Sequence, residues 1–564
     1  MTIPPGLVYL SGLFQYYTPS VLLCFGFKTF QQYDSALRGI PSWLLVLVTV
    51  VARPLFGFAS LYWGDYVHAR AARANGAIQP PAVQEATISL LNRMAETTKH
   101  GYPAEMMLGL SKIYGYAFLL DLRPLPGAFV TMEPDHIKAI LATQFDSFPK
   151  GNLFIQQMNS LLGTGVFNSD GEMWKFHRSI TRPFFVRERI SDFEIYERNA
   201  DYALAQAKER LADGISVDFQ DLTARFTLDS AAEFLFGANV NSISAGLPFP
   251  SAMTSRNPKS FYDHPSTPFV NAFGRAQVLS LVRLGYGPAW PLWEFWGDQV
   301  KPLRRVVDEF VTPLMNDALE KRAVDMKAGI KPTEEESNVL AHLVRDTQDP
   351  QIIKDELFNL LVAGRDTTSS LLTFSFYVLT QHPDIEKRLR DEIFKFVGPT
   401  AVPDYCHMRD MKYMRAFLNE VLRMYPPVPS DSRCTNKAVV LPATSTGMKP
   451  IYLPADTTCI YSTMNMHRRT DLWGPDALTF DPDRFLDERL HKYLFAYHEA
   501  TFFLVRLLQQ YTGFKLDDSL NATPPTEWQT RDEYMQKEKI HPMAHLTMYV
   551  KDGLWVKMEE LKSN

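Results

Sequence analysis

Two apolar runs open the chain, and a long helix-period run, apolar almost all round, marks its second half. Leu7 to Phe27 and Pro41 to Trp63 are each long enough to cross a hydrocarbon layer of about 30 Å. Pro19 and several aromatic residues interrupt the first run. The second carries Trp43, Tyr62 and Trp63 at its ends, where amphipathic rings favour a membrane interface, and an Arg53-Pro54 step in its middle. The pattern predicts that one of the two anchors the protein. No charged segment precedes the first run, so a cleaved signal peptide is not expected. A short basic patch, His68, Arg70 and Arg73, follows the second run and places what comes after it on the cytosolic side.

From about Pro80 the apolar spacing is mainly helical. An extended run ending in Met132-Glu133 precedes a helix over Pro134 to Gln144, and amphipathic segments follow at Ile190 to Ala212, Val217 to Phe236 and Leu303 to Met326. Asn239 to Phe269, rich in Pro, Ser and Phe, reads as irregular connection with short helices. Near Asp355 a long helix begins and stops at His382-Pro383, and its apolar residues surround nearly the whole circumference, as in a helix at the centre of a large domain. Another helix spans Arg409 to Met424, ended by Pro426-Pro427. His545 to Met558 alternates around Lys551-Asp552-Gly553 and predicts a β-hairpin with a D-G turn. The expected fold class is mainly α with small β-sheets, with residues 1–75 as anchor and linker and 76–564 as one large domain.

Composition narrows the function classes. Among 564 residues, 58 Lys+Arg stand against 63 Asp+Glu, a formal charge of −5, which argues against a nucleic-acid partner on global charge. The 4 cysteines, Cys24, Cys406, Cys434 and Cys459, form no C-x-x-C pair, so neither a disulfide framework nor a cysteine-rich zinc site is expected.

Four pieces carry chemistry. Ala363-Gly364-Arg365-Asp366-Thr367-Thr368 puts an acid and two hydroxyls inside the apolar helix, where polar groups are costly unless satisfied. Ala363 and Gly364 leave room for something flat, and Asp366 with Thr367 could relay protons to whatever lies there; threonines bonded back to the helix backbone are the plainer alternative. Glu420 and Arg423 lie three apart on one helix face and can pair, and Arg484, in the rigid turn Phe480-Asp-Pro-Asp-Arg484-Phe485, could join them. Trp174 and Arg178 stand at i,i+4 in Trp174-Lys-Phe-His177-Arg178, so an indole N–H and a guanidinium face the same way, an arrangement suited to an anion.

In this order and spacing the four pieces resemble the cytochrome P-450 family of haem-thiolate monooxygenases, closest to fungal microsomal members that hydroxylate alkanes and fatty acids. The resemblance implies a fold of that kind behind an amino-terminal anchor in the endoplasmic reticulum membrane, with the catalytic domain cytosolic. It implies haem b as cofactor, NADPH electrons through a separate flavoprotein reductase, and a small apolar substrate. Thr367 would be the alcohol assisting dioxygen protonation and Asp366 its acidic neighbour. Ala363 and Gly364 would lie against the haem, while Trp174 and Arg178, with His177, would hold its propionates. Glu420, Arg423 and Arg484 would brace the proximal side.

One part of the family pattern is absent. The axial thiolate belongs in a loop of the form F-x-x-G-x-R-x-C-x-G just before a helix. Here Leu494 is followed directly by Phe495 and by a segment resembling the helix after that loop. Against the family pattern roughly twenty residues, the ligand cysteine among them, are missing, so no metal ligand is assigned. Both flanks stay in register, as a skipped exon or a coding stretch read as an intron would leave them. The alternative to a monooxygenase is accordingly a catalytically silent, loop-deleted form acting at most as a membrane-bound binding protein.

Overall fold

The computed structural model describes residues 3–31, 33, 39–182, 193–328, 339–347, 349–486 and 498–561. Two long helices, α1 (Pro5–Phe30) and α2 (Ser42–Ala74), precede a mainly helical body. Among the described residues α2 is the helix long and apolar enough to cross a membrane, and none of its apolar window is buried. Helices of the body include α3 (Gly171–Thr181), α4 (Phe193–Ala212), α5 (Phe219–Phe236), α6 (Ser266–Tyr286), α7 (Trp290–Trp293), α8 (Val300–Lys327), α9 (Pro350–Gln381), α10 (Lys412–Met424) and α11 (His498–Gln510).

Helix α9 is the axis of the body. Asp349 caps it, accepting from the backbone N–H of Gln351 at 2.9 Å, and Pro350 occupies the first helical position, where a missing N–H leaves nothing unpaired. The helix therefore starts earlier than the expected Asp355, and it ends at His382-Pro383 as the sequence implies. Its polar residues are satisfied sideways. Thr223 of α5 meets Ser369 at 3.1 Å and Thr373 at 3.3 Å, and Thr227 donates to the Arg365 carbonyl at 3.0 Å, so hydroxyls fasten α5 along α9.

The first turns of α9 hold the loop that aims α3. Asn359 donates to the Leu162 carbonyl at 2.8 Å and accepts from the Phe167 N–H at 3.0 Å, while Glu356 accepts from the Val166 N–H at 2.8 Å. Gly163 sits at φ +61, and a Cβ there would lie 2.1 Å from the Asp355 carboxylate. Only glycine permits this approach.

A four-stranded mixed sheet lies beside the helices, in the order β1 (Ala117–Leu120), β2 (Ala128–Thr131), β4 (Thr458–Tyr461), β3 (Asp431–Cys434), with β2 and β4 parallel. At the carboxyl end the D-G turn is real but joins two sheets instead of closing a hairpin. β7 (Met548–Val550) pairs backward with β6 (Pro542–Ala544), and β8 (Trp555–Glu560) pairs with β5 (Tyr511–Leu516) and with Val217–Asp218. Alternation fixes which face of a strand is buried but not its neighbour, which explains the misreading. The expected helix over Arg409 to Met424 likewise breaks at Met411, between Tyr405–Asp410 and α10.

Candidate functional site

Between Asp355 and Leu379 every residue of α9 is buried except Ala363, Gly364 and Thr367, which are half-buried. Ala363 and Thr367 are one turn apart, so the buried axis opens on one side at this level. Thr367 Oγ1 donates to the Ala363 carbonyl at 2.7 Å, the back-bonded arrangement, while its side chain stays at the opening. Gly364 also gives α5 room, since a Cβ there would meet Ala231 Cβ at 3.4 Å.

Asp366 is turned to α6. Its Oδ1 accepts from Arg365 Nη1 at 2.6 Å and its Oδ2 from Gln277 Nε2 at 2.8 Å, all three residues being buried. Arg365 also lies 5.8 Å from the Phe273 ring, and Phe269 and Phe273 are core residues packed on Phe310 and Phe358. Burial pushes the neighbouring His545 imidazole down to about 4, so it stands neutral beside the Arg365–Asp366 pair.

Trp174 and Arg178 share a face of α3, as their spacing implies. Trp174 is half-buried with its ring 5.1 Å from Phe145, and the exposed Arg178 guanidinium makes no hydrogen bond or ion pair with another described residue. His177 faces the other way. It is fully buried, with Nδ1 2.7 Å from Glu356 Oε2, and ties α3 to α9. Two cations escaped the sequence reading. Burial, with the positive charge of Arg433, pushes Lys150 down to about 8, and Lys150 stands five residues after Phe145, whose ring packs on Trp174. Asp170, Asp431 and the Ser169 carbonyl, 2.9 Å from Lys150 Nζ, partly offset that charge. Lys150 and Arg433 are far apart in sequence and belong to no short motif, so no spacing could reveal them.

Glu420, Arg423 and Arg484 converge. Arg423 Nε and Nη2 donate to the two Glu420 oxygens, both at 2.7 Å, and Arg484 Nε stands 3.7 Å from Glu420 Oε1. Arg484 is held more closely by Asp476, at 2.8 Å.

Glu499, in the first turn of α11, is the other residue the sequence reading missed. Burial pushes its carboxyl up to about 8, opposed by a hydrogen bond from Thr368, the residue after Thr367. The unfolded chain titrates near the ordinary 4.5, so the fold favours the protonated form. That contribution is complete below the ordinary value and is lost as pH rises through about 8. Glu499→Gln is therefore expected to flatten the fall in Tm between about pH 5 and pH 9 relative to the parent. An unchanged slope in a pH series of thermal melts would refute it.

The chain belongs to the cytochrome P450 family, whose sequence model matches residues 81–518. Its relatives include the cytochrome P450 monooxygenase himC of Aspergillus japonicus, 34% identical over 422 residues, 71% of this chain and 70% of that one. Cytochrome P450 52A5 of Candida maltosa is 33% identical over 458 residues, covering 76% and 80% of the two chains. Cytochrome P450 52A13 of Debaryomyces hansenii is 30% identical over 500 residues, covering 84% and 89%.

The family's haem needs a flat opening beside α9, cations for its propionates and an axial thiolate. The first two fit the residues above; the third does not. Cys24 lies in α1 and Cys406 is exposed in Tyr405–Asp410. Cys459, in β4, is buried with its thiol pushed far up, and Sγ donates to the Thr457 carbonyl at 3.5 Å. Burial also raises the thiol of Cys434, in β3. Both favour the neutral thiol over the thiolate that ligates iron. The Leu494–Phe495 junction lies outside the described residues, and no cysteine occurs near it in sequence.

Proposed function

We propose that the chain is built as a membrane-bound, haem-dependent monooxygenase that hydroxylates an apolar, long-chain substrate with dioxygen and electrons from NADPH through a flavoprotein reductase. Residues 1–75 are its anchor and linker and 76–564 its catalytic domain, which faces the cytosol from the endoplasmic reticulum membrane. The observation that carries this reading is the opening at Ala363 and Thr367 in an otherwise buried α9. Trp174, Arg178, Lys150 and Arg433 supply the cations and the indole N–H for propionates, and Glu420, Arg423 and Arg484 brace the opposite side. The buried His177 acts on this site by holding α3. The bound haem supplies oxygen activation; Thr367 holds a proton at Oγ1 beside the opening, and Asp366 reaches it only by leaving Gln277 and Arg365.

The donor set favours a second reading for the polypeptide as it stands: a loop-deleted, catalytically silent form that binds apolar molecules at the membrane. A protein with the ligand loop restored separates the two. Supplied with haem, reductase and NADPH, it is expected to release hydroxylated product from a long-chain alkane or fatty acid, and the parent chain is not. No product from fully haem-loaded, loop-restored protein across such a panel would overturn the first reading. In that protein Thr367→Ala should keep consuming NADPH while product falls several-fold. An unchanged ratio of product to NADPH would refute the role of Thr367.

A further inference from the structure

We propose that α1 and α2 cross the membrane together as an antiparallel hairpin, which puts the amino end of α1 on the same side as the catalytic domain. The proposal rests on the membrane-bound reading above and adds a second span and an orientation to it. The two helices pair symmetrically about their connection. Gln31 Nε2 donates to the Ile40 carbonyl at 2.7 Å, and deeper in, the Tyr16 hydroxyl donates to the Arg53 carbonyl at 3.2 Å and stands 3.4 Å from where a Cβ of Gly57 would be.

Both far ends meet the body. The Gly6 N–H donates to the Phe295 carbonyl, just after α7, at 3.1 Å, and α1 packs on α7. A Cβ on Gly6 would lie 2.2 Å from the Phe295 ring, so the approach is close. On α2, Asp65 pairs with Arg123 at 2.8 Å, the His68 ring lies 6.2 Å from Tyr452, and Ala72 is buried in the body. Between these attachments and the connection, Gly6 to Phe30 and Ser42 to Asp65 each rise about 36 Å, enough for a hydrocarbon layer of about 30 Å.

The surface of the pair fits lipid. α1, with Gln15, Thr18 and Pro19 near its middle, is less apolar than α2 and crosses as its partner and not alone; no charged side chain occurs between Met1 and Phe27, and Phe14, Leu22, Leu23 and Phe25 of α1 are as open as Val46 and Phe56 of α2. Arg53, deep in α2, is the exception that explains the pairing. A charge at that depth needs a protein partner, and its guanidinium lies 4.8 Å from the Tyr16 ring of α1. If α1 lay instead on the far membrane surface, Arg53 would lose that ring and Gly6 would be a bilayer away from Phe295.

A hydrophilic segment bearing an Asn-x-Thr acceptor, placed before Met1 in one protein and between Gly39 and Ile40 in another, tests the orientation during synthesis into microsomes. The expected result is glycosylation at the Gly39 insertion, none at the amino end, and resistance of both proteins to carbonate extraction. Glycosylation at the amino end, or none at Gly39, in carbonate-resistant protein would overturn the hairpin while leaving the membrane-bound reading intact. Release by carbonate would overturn that reading itself, and the hairpin with it.

Discussion

Inserting a cysteine loop of the family form between Leu494 and Phe495 is expected to turn a chain with no thiolate-type Soret band into one that has it when haem is added and the sample is reduced under carbon monoxide. The effect should be all or none. The iron's axial ligand decides both the position of that band and the electron push into the O–O bond, and none of the four cysteines lies in a loop of the ligand form. Cys459 and Cys434 are held as neutral thiols by burial within the sheet. The receiving structure is otherwise in place: α11 is packed into the core through Phe502 and Phe503, Glu499 fastens its first turn to Thr368, and the opening at Thr367 lies next to that contact. A thiolate-type band from the parent chain would refute the missing-ligand account, as would its absence from a folded, loop-restored protein that binds haem.

The parts of this site that were legible in the sequence are those written on one helix. The pairs Glu420/Arg423 and Trp174/Arg178 need only helical spacing to share a face, and both do. The room at Ala363 and Gly364 was expected from their small side chains, and the structure leaves both, with Thr367, half-buried. Contacts between elements were not. His177 sits inside the Trp174 motif, yet its position on α3 turns it to Glu356 and away from Arg178. Lys150 comes near Arg433 only because β3 packs on the segment ending at Lys150, where the Cys434 N–H donates to the Pro149 carbonyl at 2.7 Å, and Asp366 is committed to Gln277 of α6. The carboxyl-terminal turn was found but its partner strand was not, since period-2 alternation is blind to pairing.

Glu420→Ala is expected to remove a large share of the body's stability. Glu420 and Arg423 are 0% and 1% exposed, and their two-point pair is joined by the Asp481 N–H, which donates to Glu420 Oε1 at 2.8 Å. Arg423 reaches further, donating to the carbonyls of His467 at 2.8 Å and Ala477 at 2.7 Å, so it ties α10 to the chain that leads towards the ligand loop. Burial and this guanidinium together hold the His467 imidazole down at about 4, which marks how little solvent screens the charge. Removing the carboxylate leaves Arg423 as a buried cation without a counter-ion, a loss of roughly 3–5 kcal/mol, against about 5–15 kcal/mol for a whole domain. The exposed pair Lys387–Asp391 is a control, because Lys387→Ala should cost at most about 1 kcal/mol. Glu420→Gln keeps one acceptor for Arg423 and should fall between the two. Chemical unfolding of the three variants checks the order, and parent-like stability in Glu420→Ala would refute the brace. In loop-restored protein the same substitution should also abolish haem retention, because Arg484 stands on the segment that enters the loop and Arg423, on α10, is bonded to the chain leading into it. Haem content equal to that of the loop-restored protein with Glu420 intact, alongside lowered stability, would confine the triad to folding and remove it from the haem site.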